Sequence, residues 1–323
     1  MRFGSSMEKN AKIYIAGHTG LVGSAIVREL KRQGYKNLLL RLHSELDLRD
    51  QAATEAFINS EKPDYVFMAA ATVGGVAIND KHPARFFFDN LAMSQNVIHA
   101  SYLAGVRKLL YMGSSCIYPK FAEQPIKEDY LLSGALELTN EGYAIAKIAG
   151  VKMCEFYNRE YGTEFISCMP CNAYGPGDDF SPDGSHVVPA LIRKFHEAKV
   201  NGAPKVVMWG TGTPIREFIY IDDIAKAAVF LMNNYSGNQT VNVGTGTEYT
   251  IRELAEIIRD VVGYQGEIVN DTTKPDGTPR KLVDASKILS MGWKPETTFA
   301  EGIRITYEDY TANIERYHKG GQI

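Results

Sequence analysis

Short apolar runs alternate with amphipathic stretches through the first half of the chain. The runs predicted as strands are KIYIA, LLL, DYVFMAA and KLLYMG, and helices are expected from about Leu21, after Asp50 and after Pro83. This alternation is typical of βαβ units. Runs that are apolar on every side, such as YVFMAA, suit parallel strands that helices cover on both faces. The pattern therefore predicts an α/β fold with a doubly wound parallel sheet of the Rossmann type.

The second half of the chain has a different texture. A long helix is expected to start near Glu141, and the strand-like run EFISCMP follows it. Beyond Asn172 the stretch YGPGDDFSPDG is crowded with Gly, Pro and Asp, and runs such as KVVMWG and TVNVG come singly between helices. We therefore predict a nucleotide-binding domain over residues 7–171 and a smaller C-terminal α/β substrate lobe over residues 172–323. Later re-entry of the chain into the first lobe is left open.

Length, charge and cysteine content narrow the class of protein. A chain of 323 residues exceeds the size at which one core usually stops growing, so two lobes around a cleft are expected. A net charge of −3 and a pI near 6.2 offer no basic field to nucleic acid or an anionic membrane, and no apolar run is long enough to span a bilayer. The charge therefore favours small-molecule partners. Four cysteines without metal-ligand spacing predict reduced thiols in a cytoplasm and no metal. Met1–Ser6 is interpreted as a leader before a natural start at Met7.

A glycine-rich loop follows the first predicted strand. In IYIAGHTGLVG the three glycines Gly17, Gly20 and Gly23 are spaced Gly-x-x-Gly-x-x-Gly and open a helix. Such glycines permit a tight turn and let the backbone approach a pyrophosphate at the helix N-terminus. A glycine-rich turn is often only a turn, but its place between a strand and a helix favours dinucleotide binding.

The end of the second predicted strand indicates which dinucleotide is bound. An NAD site usually carries an acidic residue there, about 20 residues after the loop, to bind the ribose hydroxyls. Here the strand LLL ends in Arg41, and no carboxylate follows until Glu45. Because a guanidinium can pair with a 2′-phosphate, the sequence predicts NADPH over NADH, although a solvated surface arginine would have the same pattern.

The sequence predicts that Ser114, Tyr143 and Lys147 lie together and form a reductase site. Tyr143 and Lys147 are four apart in EGYAIAK, which puts both side chains on one face of a helix. The predicted strand KLLYMG ends just before Ser114. Ser114 and Tyr143 are then expected to hold and protonate a carbonyl oxygen, while Lys147 lowers the pKa of Tyr143 and binds cofactor ribose. The alternative is an ordinary half-buried tyrosine on a helix.

A cysteine and a histidine could remove a proton from a substrate carbon and return one to it, in addition to the reductase reaction. Cys116 lies two residues past Ser114, so it projects to the same side of an extended segment and could act as a base. His186, in GSHVVPA, would be its partner as general acid. Taken alone, however, a cysteine after a strand is more often a small core residue, and a loop histidine is more often polar surface.

Several strings together resemble a known enzyme family. The strings AGHTGLVGSAI, GSSCIYPK, YAIAKIAG, SHVVPALIRKFHEA, WGTGTPIREF and KPDGTPRKL are similar to those of the bacterial GDP-L-fucose synthases, which are extended short-chain dehydrogenases/reductases. The resemblance implies a homodimer that uses NADPH. It also implies epimerisation of GDP-4-keto-6-deoxy-D-mannose at C3 and C5, followed by reduction at C4 to GDP-L-fucose.

The resemblance also assigns roles by position. Ser114, Tyr143 and Lys147 would be the reductase triad, Cys116 the epimerisation base and His186 the acid. The implied nucleotide-sugar contacts are Asn172, Lys194, Trp209, Arg216 and Lys281. The basic residues of this set carry charges that could meet a diphosphate, and Trp209 could pack on a base or sugar, although each could equally be part of a solvated face.

Departures from the family pattern leave alternatives open. Thr19 and His43 stand where the family often has basic residues, and Cys171 and Ala173 flank Asn172 where other residues are common. A related GDP-4-keto sugar of the colitose or heptose type, or simple C4 reduction, therefore stays possible. A dehydratase would require a carboxylate near Ser114, a 4-epimerase would retain NAD, and a regulator would need only the glycine loop.

Overall fold

The computed structural model describes residues 6–182, 184–274 and 276–319, so most of the predicted leader lies outside the described residues. The first half contains β1 (Ile13–Ala16), α1 (Leu21–Arg32), β2 (Leu38–Leu39), α2 (Gln51–Glu61), β3 (Tyr65–Met68), α3 (Val76–Lys81), α4 (Pro83–Leu103), β4 (Lys108–Met112), α5 (Glu141–Tyr161) and β5 (Phe165–Pro170). Then follow β6 (Asn172–Tyr174), α6 (Val187–Val200), β7 (Lys205–Trp209), β8 (Ile215–Tyr220), α7 (Ile221–Asn234), β9 (Val241–Val243), β10 (Glu248–Thr250), α8 (Ile251–Val262), β11 (Glu267–Asp271), β12 (Arg280–Lys281), α9 (Ser286–Ser290), α10 (Phe299–Ala312) and α11 (Ile314–Lys319). Short 3-10 helices cover Ser115–Ile117, Glu128–Tyr130 and Leu138–Asn140.

Six parallel strands form the central sheet in the order β2-β1-β3-β4-β5-β9. Ile13 of β1 pairs with Leu38 on one side and with Tyr65 on the other. The chain therefore leaves β1 towards one edge of the sheet and later returns to the opposite side of β1. Ligands of open α/β sheets bind outside the carboxyl ends of strands at such a switch point. The predicted fold class, a doubly wound parallel sheet, is confirmed.

Alternate side chains of the central strands enter two separate apolar cores. Ile13 and Ile15 of β1 belong to the core that α1 and α7 cover, whereas Tyr14 belongs to the core that α2, α4 and α5 cover. Successive side chains of a strand point to opposite faces, so these runs must be apolar at every position. This arrangement explains why the runs show no alternation of polar and apolar residues.

The strand that completes the sheet comes from beyond the predicted boundary at residues 171 and 172. Strand β9 pairs in parallel with β5, with Cys168 opposite Val241. The large sheet thus takes chain from both predicted domains, and the division of roles between residues 7–171 and 172–323 stays a prediction.

A smaller sheet is centred on β8, which pairs in parallel with β6 and β12 and antiparallel with β10. Helix α8, which begins with a capping box between Thr250 and Glu253, packs against α6 and α10 beside this sheet. Strands β7 and β11 form a separate parallel pair. Among the helices that the structure describes, none has the length and apolar character needed to cross a membrane.

Candidate active site

The end of β4 and the start of α5 bring the three predicted reductase residues into one region. Strand β4 ends at Met112, and Ser114 lies two residues further, immediately before a 3-10 helix that packs against α5. Tyr143 is in the first turn of α5, and Lys147 is one turn later. The end of β4 and the first turns of α5 therefore bring the hydroxyl, the phenol and the ammonium into one region.

Lys147 is almost completely buried. Its Nζ donates a hydrogen bond to the Met112 carbonyl at 2.9 Å and lies 5.8 Å from the centre of the Tyr143 ring. Burial penalises the charged ammonium and lowers the pKa of Lys147 to about 8. The amine is thus held at a fixed place beside Tyr143 and can exchange a proton near neutral pH.

Tyr143 has a pKa above that of a free tyrosine. Burial is the main cause of the raised pKa, the negative charge of ionised Cys116 adds to it, and a hydrogen bond with Ser114 lowers it. Burial thus dominates the pKa of Tyr143, and the lowering of this pKa by Lys147 stays a prediction. A phenol in this environment keeps its proton until a stronger acceptor develops beside it, which suits a general acid.

Cys116 is half-buried, and its thiol lies beside a lysine from a distant strand. Burial raises the pKa of Cys116, but the charge of Lys281 and hydrogen bonds with Ser114, Lys281 and Asn140 lower it by more. The Nζ atom of Lys281 lies 3.4 Å from Cys116 Sγ. The other three cysteines are buried free thiols with raised pKa values. Cys116 is therefore the cysteine in the described chain with the most accessible thiolate form.

Arg216 and Lys281 are neighbours on paired strands. Strand β12 pairs in parallel with β8 so that Lys281 lies opposite Arg216. Burial lowers the pKa of Arg216, while the negative charges of Cys116 and Glu137 raise it. The small sheet thus presents two cationic side chains towards Cys116, and these two predicted substrate contacts are brought to the predicted catalytic residues.

The remaining predicted substrate contacts lie on neighbouring elements. Asn172 on β6 donates a hydrogen bond to the Glu217 carbonyl at 2.7 Å. Trp209, 60% exposed, lies at the end of β7, and the Nζ atoms of Lys194 and Lys274 are 5.3 and 5.4 Å from the centre of its ring. An exposed indole between two amines is suited to a planar, negatively charged ligand.

His186 immediately precedes α6 and its side chain is exposed. A backbone hydrogen bond of 2.9 Å from Gly75 to the Gly184 carbonyl ties its loop to the segment that follows β3. The described side-chain contacts do not join the imidazole to Cys116. The acid role predicted for His186 stays a prediction.

The glycine loop has the geometry that a dinucleotide requires. Gly17 has a φ of +79°, and a Cβ at this position would be 2.6 Å from the Ala70 backbone, while a Cβ at Gly23 would be 2.1 Å from the Gly17 carbonyl oxygen. Gly20 precedes α1 without a capping side chain, and the first turn of α1 contains no acidic residue. The helix N-terminus therefore faces the switch point with free N–H groups. His18 Nδ1, in the same loop, is buried and lacks a hydrogen-bond partner among the described residues. These features fit a pyrophosphate.

Arg41 lies just beyond β2, on the same side of the switch point. Its guanidinium is 3.2 Å from Glu61 Oε1 and 5.2 Å from the centre of the Phe57 ring. The side chain is 36% exposed, so a 2′-phosphate can reach it from solvent. Glu61 would compete for the same guanidinium, which the sequence alone did not indicate.

Asn140 is a member of the site that no sequence motif indicated. This residue directly precedes α5, where an asparagine usually accepts a hydrogen bond from the helix N-terminus. Its side chain makes no such bond, its amide contributes to lowering the pKa of Cys116, and its Oδ1 has no partner among the described residues. An asparagine immediately before the helix EGYAIAK would be interpreted from sequence as a helix cap, and this interpretation gives it no catalytic role.

A family model agrees with this architecture. The model described as "NAD dependent epimerase/dehydratase family" matches residues 13–244, which include the glycine loop, the reductase triad and β9. The chain therefore belongs to the NAD dependent epimerase/dehydratase family.

Curated proteins named GDP-L-fucose synthase are similar to almost the whole chain. GDP-L-fucose synthase 1 of Arabidopsis thaliana is 57% identical over 310 residues, covering 96% of each chain, and GDP-L-fucose synthase of Escherichia coli K12 is 50% identical, covering 95% of this chain and 98% of its own. These relatives confirm the resemblance to the GDP-L-fucose synthases that the sequence strings predicted.

Two solved structures have the same fold over almost the whole chain. A GDP-L-fucose synthetase from Naegleria fowleri, bound to NADP, has a TM-score of 0.90 at 30% identity and covers 98% of this chain and 97% of its own. A GDP-6-OMe-4-keto-L-xylo-heptose reductase from C. jejuni has a TM-score of 0.92 at 40% identity and covers 96% of this chain and 100% of its own.

Proposed function

We propose that the protein is a bifunctional GDP-L-fucose synthase. It epimerises GDP-4-keto-6-deoxy-D-mannose at C3 and C5 and then reduces the product at C4 with NADPH, which yields GDP-L-fucose. The observation that carries the proposal is the thiol of Cys116, held 3.4 Å from Lys281 Nζ and coupled to Ser114 and Tyr143. A base that can remove a proton from carbon and a proton donor for a carbonyl thus lie together where the end of β4 meets the start of α5.

Epimerisation uses the acidity of protons next to the C4 ketone. The Cys116 thiolate removes the proton from C3 or C5, and the electron pair moves onto the carbonyl oxygen. Ser114 and Tyr143 hold this oxyanion by hydrogen bonds. Return of a proton to the opposite face of the carbon, from protonated His186, inverts the centre. The thiol then releases its proton to solvent, and the imidazole takes up a proton from solvent before the next cycle.

Reduction uses the same carbonyl. NADPH, when bound, would supply a hydride to C4. The glycine loop at Gly17, Gly20 and Gly23 would hold its pyrophosphate, Arg41 its 2′-phosphate and Lys147 its nicotinamide ribose. Tyr143 donates its phenolic proton to the C4 oxygen as negative charge develops there. Lys147 then stabilises the phenolate and supplies a route for reprotonation.

The nucleotide sugar is bound mainly by the second half of the chain. Trp209 and Lys194 hold the guanosine end, Arg216 and Lys281 supply positive charge to the diphosphate and sugar end, and Asn172 contributes an amide at the wall of the site. The two cations also raise the local positive potential, which favours the thiolate of Cys116.

A second candidate is C4 reduction of another GDP-4-keto sugar. The solved heptose reductase has a slightly higher TM-score than the solved fucose synthetase. Cys171 and Ala173 flank Asn172 where other residues are common in the GDP-L-fucose synthases. The ionisable Cys116 argues for retaining epimerisation, because a simple reductase needs no base at carbon.

The protein forms a homodimer through α4 and α5 in this proposal. Both helices expose large apolar side chains, namely Phe88, Leu103, Ile145, Phe156 and Tyr161, each between 42% and 65% exposed. Exposed apolar patches on paired helices mark protein interfaces. Light scattering should give twice the monomer mass, and a Phe156→Glu variant should give the monomer. The four free thiols fit a cytoplasmic enzyme.

The experiment that tests the function is incubation with GDP-4-keto-6-deoxy-D-mannose and NADPH in deuterated water, followed by NMR of the sugar. GDP-L-fucose with deuterium at C3 and C5 is the expected product. A reduced sugar without deuterium at these carbons would instead identify a simple C4 reductase. No turnover of this sugar, with turnover of a GDP-4-keto heptose, would favour the second candidate.

A further inference from the structure

We infer that Glu217 is a positioning residue of this site, because its buried carboxylate fixes the strand that brings Lys281 to Cys116. The inference rests on the proposed function only for its consequence in catalysis. Its structural part concerns the thiol alone and can be tested without substrate.

Glu217 lies in the middle of β8 with none of its surface exposed. Oε1 accepts hydrogen bonds from the backbone N–H groups of Thr245 and Gly246, both at 2.7 Å, and Oε2 accepts one from Val283 N–H at 3.1 Å. The Thr245 hydroxyl at 3.4 Å and the Cys171 thiol complete the contacts of the carboxylate. One side chain therefore binds three backbone donors from two separate segments.

This carboxylate has no cationic partner among the ion pairs of the described residues. Burial raises the pKa of Glu217, and the backbone hydrogen bonds offset this rise only in part. A buried carboxylate without a cation is costly, and an apolar residue at the same place would stabilise the fold more simply. A buried carboxylate that costs free energy in this way is expected where its hydrogen bonds must hold the backbone in one place.

The two segments that Glu217 joins lie far apart in the chain. Thr245 and Gly246 follow β9, the last strand of the large sheet, whereas Val283 lies two residues beyond Lys281. On its other side the same segment exchanges backbone hydrogen bonds of 2.8 Å with Ile126, from Ile126 N–H to the Leu282 carbonyl and from Asp284 N–H to the Ile126 carbonyl. Residues 280–284 are thus held between Glu217 and the segment that follows Cys116.

Lys281 reaches Cys116 because this segment is fixed on both sides. In an extended segment Lys281 and Val283 are separated by one residue, so a shift of Val283 moves the Lys281 backbone with it. The interaction between an ammonium and a thiolate at 3.4 Å weakens quickly with distance. Loosening the Val283 anchor should therefore remove part of the effect of Lys281 on the Cys116 thiol.

Replacement of Glu217 by Gln tests this relationship. The variant keeps the shape of the side chain, but its NH₂ group cannot accept a hydrogen bond. Because Oε1 accepts two of the three backbone bonds, we expect the NH₂ group at the Oε2 position, where Val283 N–H loses its acceptor. We expect the pH midpoint of Cys116 alkylation by iodoacetamide, followed by mass spectrometry of the Cys116 peptide, to rise by about one unit. The alkylation rate at pH 7 should fall by about tenfold, since only the thiolate reacts.

Two further variants separate positioning from a general loss of stability. Glu256→Gln changes a carboxylate on the surface of α8 and should leave the midpoint unchanged. In the double variant Glu217→Gln/Lys281→Met the two shifts should not add, because both remove the same interaction. If Glu217→Gln does not fold, Glu217→Asp, which keeps the charge but withdraws it from Val283, should give the same upward shift.

An unchanged midpoint in a folded Glu217 variant would overturn the inference, and so would fully additive shifts in the double variant. A raised midpoint together with failure of epimerisation in the unmodified protein would support the positioning role and reject the proposed function. The two claims can thus fail separately.

Discussion

The Nζ atom of Lys281 lies 3.4 Å from Cys116 Sγ, although 165 positions separate the two residues. This contact offsets the burial that would otherwise raise the pKa of the thiol. We expect Lys281→Met to raise the pKa of Cys116 by about one to two units, measured from thiolate absorbance as the pH is raised. Lys152→Met, on the surface of α5, is the control. Equal titration curves for both variants would show that Lys281 does not activate the thiol.

Replacement of the Cys116 thiol should separate the two reactions of the proposed enzyme. A Cys116→Ser variant replaces the thiol by a hydroxyl of similar size, but the pKa of this hydroxyl is too high for it to remove a proton from carbon. Deuterium incorporation at C3 and C5 should fall by at least about a hundredfold. Reduction of a ketone that is already epimerised should continue within a few-fold of the normal rate. Parallel loss of both reactions would contradict the assignment of Cys116 as the carbon base.

Gly17 and Gly34 allow a matched test of the glycine loop. Both have positive φ values, +79° and +85°, but only at Gly17 would a Cβ meet neighbouring backbone, at 2.6 Å from Ala70. Gly34→Ala should cost about 1 kcal/mol from its backbone conformation alone. Gly17→Ala should cost more than about 3 kcal/mol and should also abolish cofactor binding. Equal losses in denaturant unfolding would show that the close approach of Gly17 to Ala70 does not matter.

Because Lys108 is buried, we expect the protein to become more stable as the pH is raised above neutrality. This buried lysine on β4 donates hydrogen bonds to three carbonyls near the end of α7, those of Leu231, Met232 and Tyr235. Burial lowers its pKa to about 8. Because the unfolded chain keeps a pKa near 10.4, it binds more protons than the folded protein above pH 8, and stability should rise as the pH increases.

The measurement is the free energy of unfolding at pH 7 and pH 10 for the unmodified protein and for Lys108→Met. The unmodified protein should gain about 2 kcal/mol relative to the variant over this range. The comparison cancels the titration of Lys147, which both proteins share. A difference that is constant between the two pH values would mean that Lys108 has an ordinary pKa in the folded state.

Arg41 should determine the preference between the two nicotinamide cofactors. An Arg41→Ala variant loses a charge-assisted bond to the 2′-phosphate, so the KM for NADPH should rise by about tenfold or more while the KM for NADH changes little. Glu61→Gln removes the carboxylate that lies 3.2 Å from the guanidinium and should tighten NADPH binding slightly. An equal rise in the KM values for NADPH and NADH in Arg41→Ala would show that Arg41 does not recognise the 2′-phosphate.

Local patterns in the sequence predicted the large sheet well. Helices α1 and α5 begin at Leu21 and Glu141, as the glycine loop and the spacing of Tyr143 and Lys147 predicted. Each of these features depends on residues close together in the chain, where apolar runs and helix signals act. The predicted strand LLL is shorter in the structure and covers only Leu38–Leu39.

The contacts that complete the site could not be predicted in the same way. Strand β12 has only two residues, so it has no hydrophobic pattern, and its partner β8 lies about 65 residues earlier in the chain. The pairing of Lys281 with Cys116 depends on that register and on the carboxylate of Glu217. Family resemblance suggested that Lys281 belonged to the site, but only the structure placed its amine beside the thiol.

The position of β9 has a consequence for how the chain is made. This strand covers the edge of β5, and the Val243 carbonyl accepts a hydrogen bond of 2.9 Å from Cys171 N–H. During synthesis β5 leaves the ribosome roughly seventy residues before its partner, at about 5–20 residues per second, and so stays an uncovered edge for several seconds. Such an edge can pair with another nascent chain. A product that stops before residue 241 should therefore aggregate rather than accumulate as a half-enzyme, and slow codons between residues 171 and 241 should lower the yield of folded protein.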